Sequence, residues 1–163
     1  TANFAFLAAV REFFDGIIVM AGAISDGRAI RAAEVAGADL AYMGTGFIAT
    51  TESIAVPDYK QMVVDATGDD IVLTNAITGV HANFMKPSLR RAGLDPDNLV
   101  ARTKVDFSSS AGDESKAWRD VWSAGQGVGA TRAIQPAGDL IATLRADYAR
   151  AVARGRELTP WGC

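Results

Sequence analysis

Apolar residues recur at helical spacing near the start of the chain. Phe6, Val10 and Phe13 share one face, with Leu7 and Phe14 beside it. The spacing predicts a helix over Asn3 to Phe14, which Asp15-Gly16 ends. A continuous apolar run follows, Ile17-Ile18-Val19-Met20-Ala21, rich in β-branched residues. Such a run suits a parallel strand buried on both faces. Gly22 to Gly27 is a turn of small residues, and Ser25 or Asp26 can cap a helix over Arg28 to Val35 that Gly37 closes. Leu40-Ala41-Tyr42-Met43 reads as a second apolar strand, after which Gly44-Thr45-Gly46 turns the chain into another helix. The alternation of helix and strand is the signature of a parallel sheet with crossover helices.

The pattern then changes. Asp58 to Ala66 reads as a helix and Asp70 to Ile77 as a strand. Lys86 to Ser115 is turn-rich, with Pro87, Asp95-Pro96 and Ser108-Ser109-Ser110. Further helices are expected from Glu114 to about Ala124 and from about Pro136 to Arg154, where Pro sits at a tolerated first position. Two parallel strands do not make a stable open sheet or barrel by themselves. The expectation is therefore that further strands come from an N-terminal region or a second chain. The division read from the sequence places a sheet-forming part at 1–66 and a mainly helix-and-loop extension at 67–163, packed on the same domain.

Composition narrows the class. The chain has 163 residues, of which 49% are hydrophobic and 21% charged, the profile of a globular domain with a buried core. The 16 Lys and Arg are scattered among 19 Asp and Glu, so no basic surface for nucleic acid is expected. No apolar run approaches the roughly 20 residues that span a bilayer. One cysteine, Cys163, excludes a disulfide framework within one chain, and with no signal-peptide pattern a cytoplasmic location is the economical reading. The chain opens Thr1-Ala2-Asn3, without an initiator Met.

The strongest chemical signal is the pair of strand-to-helix turns, Gly22-Ala23-Ile24-Ser25-Asp26-Gly27 and Gly44-Thr45-Gly46. Small residues there let backbone N–H groups approach a phosphate closely. Helix N-termini favour the anion, and Thr45 offers a hydroxyl donor. Two consecutive turns of this kind suit the phosphate site that many (β/α)8 barrels build after their last two strands. The plainer alternative is that the glycines only make tight turns.

Ala21-Gly22-Ala23-Ile24-Ser25-Asp26-Gly27-Arg28 is similar to the "AGGI-x-DGR" motif of the nitronate monooxygenases, once called 2-nitropropane dioxygenases. Gly44-Thr45-Gly46-Phe47-Ile48-Ala49-Thr50 resembles that family's "GTRF" segment at the matching spacing. Asp70 through Phe84 resembles a later segment of one bacterial branch, and Trp122-Ser123-Ala124-Gly125-Gln126-Gly127-Val128-Gly129 a C-terminal "W-x-AGQ-x-x-G" segment. The resemblance implies an α/β fold, the last two strands of an FMN-binding (β/α)8 TIM barrel, acting on a small-molecule substrate. It implies that Gly22, Ala23, Gly44 and Thr45 face the FMN phosphate. It places Tyr42 and Met43 beside the cofactor and brings Gln126 toward the flavin side of the pocket.

Two positions depart from the family pattern. Its second glycine is Ala23 here, which an ordinary backbone angle would accommodate, and the Arg after Gly-Thr is Gly46. The family's usual catalytic segment, "AGGH-x-G", is absent, so no catalytic residue is carried over. The related reading is a barrel with the same phosphate grip that uses NAD(P)H to reduce a quinone or an enoyl thioester. A third reading is an incomplete fragment acting only by association, and a homo-oligomer is left open.

Other residues attract chemistry less. His81, the single histidine, suits a base near neutral pH, but a surface or hydrogen-bonded structural role weighs more for a lone histidine in a loop-like stretch. It also argues against a multi-histidine metal site. Trp118, Trp122 and Phe107 could line a substrate mouth, though the spacing of the two tryptophans suits a core face. Asp95-Pro96-Asp97 is an acidic turn with too few oxygen ligands for a calcium loop. Arg145, Asp147, Arg150, Arg154 and Arg156 read as a solvated helix face.

Overall fold

A computed structural model describes residues 2–101 and 121–157. Helix α1 (Asn3–Arg11) leads into β1 (Val19–Ala21), α2 (Gly27–Val35) and β2 (Leu40–Tyr42). The two strands pair in parallel, Val19 opposite Leu40, Met20 opposite Ala41 and Ala21 opposite Tyr42. Thus the helix–strand alternation folds as the apolar runs predict. The strands differ from the expectation in one respect: they are covered on one face only. Met20 is buried with Leu7, Ile24, Ala33 and Ala38, and Ala41 packs against that cluster. Val19 and Leu40 point the other way and are 51% and 58% exposed. Side chains alternate along a strand, so the face bearing Val19, Ala21, Leu40 and Tyr42 has no layer over it among the described residues.

The ends of these elements are fixed by polar side chains. Arg11, in the last turn of α1, donates to the Gly37 carbonyl at 2.8 Å and the Gly16 carbonyl at 2.7 Å, and pairs with Asp39 at 2.5 Å. Asp39 in turn accepts from the Ile18 amide at 2.8 Å. One guanidinium therefore ties the ends of α1 and α2 to the starts of both strands. Only Leu7 of α1 is buried, while Phe6 and Phe13 are exposed. The helix is present, but in this chain its aromatic face is not the buried one.

Helix α3 (Thr45–Ile48) is a single turn, followed by α4 (Pro57–Asp65), the hairpin β3 (Ile71–Thr74) and β4 (Ala82–Met85), α5 (Lys86–Arg91) and the long α6 (Ala137–Glu157). The hairpin is antiparallel, Ile71 opposite Met85 and Thr74 opposite Ala82. The loop-like reading around His81 holds for 78–81, which form the turn, and is corrected at Ala82 and Asn83, which open β4; α5 corrects the turn-rich reading of its stretch. Pro87 sits in the first turn of α5, where a missing N–H costs nothing. Residues 121–124 are not helical, and the rest of the helix expected from Glu114 lies outside the described residues, as do Phe107, Trp118 and Cys163.

A second core cluster joins both halves of the chain. It contains Ala49, Val63 and Ala66 together with Met85, Trp122, Ala124 and Val128. Trp122 stacks on Tyr59 with ring centroids 4.8 Å apart, and the Arg91 guanidinium lies 3.4 Å over its ring. This tryptophan is a core residue, not part of a substrate mouth. Burial raises the Tyr59 pKa above its ordinary value, against the hydrogen bond that its hydroxyl donates to the Ser123 carbonyl. Helix α6 lies on α2. A Cβ on Gly27 would overlap the Tyr148 amide and the Leu144 carbonyl of α6, so only glycine admits this approach. No described helix is long and apolar enough to cross a membrane.

Candidate functional site

The C-terminal ends of β1 and β2 lie side by side because their strands pair in register, and each releases the chain into a turn of small residues. The two turns enclose a cavity of about 70 Å³. Gly22, Ala23, Tyr42, Met43, Gly44 and Thr45, six of the seven positions marked from the sequence, line it. Ile24, Ser25, Gly46, Gly125, Gly127 and Thr131 complete the wall. The seventh, Gln126, lines a neighbouring cavity of about 640 Å³ that shares Gly22, Ala23 and Ile24 with the first. His81 is exposed at the head of β4 and is not among the lining residues of either.

The backbone of the first turn is unusual. Gly22 has φ +91° and Ala23 φ +57°, the left-handed region where a Cβ crowds the following carbonyl. The condition under which an alanine would be accommodated here, an ordinary backbone angle, is therefore not met. The family's glycine has a physical reason at this position, and the alanine carries strain of about 1 kcal/mol or more. What holds it there is visible. The Asn3 side-chain amide donates to the Ala21 carbonyl at 3.0 Å and to the Gly22 carbonyl at 2.8 Å. From the other side Gly127 packs against the turn: a Cβ added to it would overlap the Ser25 hydroxyl and lie 3.7 Å from the Ala23 Cα.

The second turn is tied to the distant 122–129 segment by Thr45, whose Oγ1 accepts the Gly125 amide at 2.8 Å. The hydroxyl keeps its own hydrogen to donate. Gly44 needs no special angle, with φ −121°, and a Cβ built on it would meet nothing within 4 Å. Among the described residues, the amides of Ala23 and Gly44 donate to no protein acceptor. The cavity is thus bordered by backbone N–H groups and a hydroxyl hydrogen, the donor set that holds an anion.

Helix dipoles contribute less than the sequence suggested. Asp26 caps α2 and accepts the Ala29 amide at 2.8 Å, so that N-terminus already has its anion. Burial pushes the Asp26 pKa up, but the Ala29 amide and the Arg28 guanidinium outweigh it and hold the carboxyl below its ordinary value. Helix α3, with four residues, has few aligned peptides to sum. Gly46 stands where the family carries arginine; a Cβ there would lie 3.7 Å from Leu140 and 3.9 Å from Thr131 Oγ1, ordinary contacts.

Sequence reasoning passed over Asn3, Ser25 as a wall residue, Gly125, Gly127 and Thr131. The glycines of Ala124-Gly125-Gln126-Gly127 had a signal in their motif; Asn3 had none, because its role depends on where α1 lands.

The architecture is that of an α/β protein with a parallel strand pair whose ends frame a small donor-lined cavity. A model of the nitronate monooxygenase family matches residues 1–147, and the chain belongs to that family. The nitronate monooxygenase of Paraburkholderia phytofirmans is 29% identical over 157 residues, covering 86% of this chain and 40% of that protein. That of Neurospora crassa is 30% identical over 152 residues, covering 83% and 39%. Among solved structures, nitroalkane oxidase from Streptomyces ansochromogenes matches with a TM-score of 0.75 at 33% identity, over 94% of this chain and 45% of that one. FabK from Thermotoga maritima matches with a TM-score of 0.71 at 26% identity, over 96% and 52%. The chain therefore spans about 40% of the length of these two curated relatives.

Proposed function

We propose that these residues form the phosphate-holding end of an FMN-dependent oxidoreductase that oxidises alkyl nitronates with O2. The observation that carries the reading is the convergence of both strand-end turns, Gly125 and Gly127 on one cavity whose lining includes Ala23, Gly44 and Thr45. Its volume, about 70 Å³, suits a single phosphate group; a whole ligand of cofactor size takes several hundred cubic ångströms. The residues present fit that group. Among the described residues the Ala23 and Gly44 amides have no protein acceptor, Thr45 retains a hydroxyl hydrogen, and a Cβ at Gly44 would meet nothing within 4 Å.

In this reading β1 and β2 are the last two strands of a (β/α)8 barrel, and the remaining strands cover the face of Val19, Ala21, Leu40 and Tyr42. FMN supplies the two-electron redox chemistry when bound. The part played by this chain is to fix the cofactor. Backbone donors held rigidly by Asn3, Gly127 and the Thr45–Gly125 bond carry no reorganisation cost when the anion arrives. Tyr42 and Met43, at the end of β2, then stand beside the bound cofactor, with Gln126 in the adjoining cavity.

The test is oxygen uptake by the complete polypeptide that carries these residues, supplied with an alkyl nitronate and no nicotinamide. Nitronate-dependent uptake is expected. Flavin-dependent NADPH oxidation without nitronate turnover would replace this activity with a reductase that uses the same phosphate grip.

A further inference from the structure

Resting on that phosphate reading, we propose that Asn3 is the positioning residue of the cavity: by holding the Gly22 carbonyl it aims the Ala23 amide at the anion.

The argument begins with the peptide unit. A trans peptide is planar, and its C=O and N–H point in opposite directions. There are no cis peptides among the described residues. The Gly22 carbonyl and the Ala23 amide belong to one such unit, so whatever fixes the carbonyl fixes the amide. Asn3 Nδ2 takes the Gly22 carbonyl at 2.8 Å and the Ala21 carbonyl at 3.0 Å, a two-point grip on successive peptides. Asn3 lines the larger cavity on the α1 side of the turn and is not part of the small cavity's wall. The carbonyl is therefore drawn toward α1, and the Ala23 amide is turned away from it, where it meets no acceptor among the described residues.

The grip also explains how alanine persists at φ +57°. Left alone, this peptide would gain by rotating Ala23 out of the left-handed region, which would swing the amide off the cavity. The two hydrogen bonds from Asn3 oppose that rotation, and Gly127 beneath the turn leaves room for the strained form. Asn3 and Ala23 are thus coupled: the side chain matters most when residue 23 is strained, and less when it is glycine.

The experiment measures dissociation constants for FMN and for riboflavin, which lacks the phosphate, by quenching of flavin fluorescence in the complete polypeptide. The wild type is expected to favour FMN. Asn3→Ala is expected to weaken FMN about five- to tenfold, the effect of one or two lost hydrogen bonds, and to leave riboflavin unchanged. Asn3→Asp, of the same shape but without the donor, repeats the loss if Asn3→Ala folds poorly. In an Ala23→Gly background the effect of Asn3→Ala should shrink to about twofold or less. An equal loss for both flavins, or an undiminished loss in the glycine background, would reduce Asn3 to a structural role and overturn the proposal. A wild type that binds both flavins equally would overturn the phosphate reading itself, and the proposal with it.

Discussion

The Gly125 amide donates to Thr45 Oγ1 at 2.8 Å, joining two residues 80 positions apart at the wall of one small cavity. The bond fastens the β2–α3 turn to a segment that has no strand or helix of its own at that point. A Cβ on Gly125 would lie 3.1 Å from the same oxygen, a tight contact to which the Thr45 side chain would have to yield by a few tenths of an ångström. Thr45→Val keeps the shape and leaves a partly buried amide unpaired. It is expected to cost about 1–3 kcal/mol in urea unfolding, and Thr45→Ser should recover most of it.

Ala23→Gly should have the opposite sign. Removing the Cβ at φ +57° relieves left-handed strain, while the extra freedom of glycine in the unfolded chain offsets part of the gain. The expected net effect is a stabilisation of about 0.5–1 kcal/mol, read as a higher urea midpoint with an unchanged slope.

Gly27→Ala tests the α2–α6 contact. The added Cβ would overlap backbone atoms of Tyr148 and Leu144 and lie 2.6 Å from the Asp147 Cβ, and backbone cannot step aside as a side-chain tip can. A loss of about 3 kcal/mol or more is expected, at the upper end for overpacking. The hydrogen bond that Tyr148 donates to Glu34 at 2.6 Å would be strained along with it.

Acid should loosen the start of the strands. The Ile18 amide, followed by the Arg11 guanidinium, holds the Asp39 carboxyl below its ordinary value of 3.8. A depressed folded pKa gives stability that is present above the unfolded value and is lost as pH falls through the folded one. The contribution should therefore fade below about pH 4, and Asp39→Asn should flatten that part of the stability–pH curve, measured by thermal unfolding at successive pH values.

What could be read from the sequence followed how local each signal is. The runs Ile17–Ala21 and Leu40–Met43, with Asp26 and Gly37 as stops, carry their own information, and the strands and α2 formed where those residues place them. Strand β4 was missed because Ala82-Asn83-Phe84-Met85 is short, holds a polar residue and runs directly into Lys86-Pro87; it exists because Ile71–Thr74 pairs with it. Gly22, Ala23, Gly44 and Thr45 were legible because small residues at strand ends have a physical purpose, while Tyr42 and Met43 were reached only through the family resemblance. Asn3 and the left-handed angle of Ala23 were not, since each arises from distant segments meeting at the turn. The one-sided burial of β1 and β2 has the same origin, because an apolar run does not say how many layers cover it.

The most direct measurement is the absorbance spectrum of the complete polypeptide as purified, with mass spectrometry of what heat releases from it. The account predicts a flavin band, release of FMN, and retention of FMN in preference to riboflavin. A protein that stays colourless after incubation with FMN, while folded by circular dichroism, would contradict it and leave the cavity between the two turns without its proposed ligand.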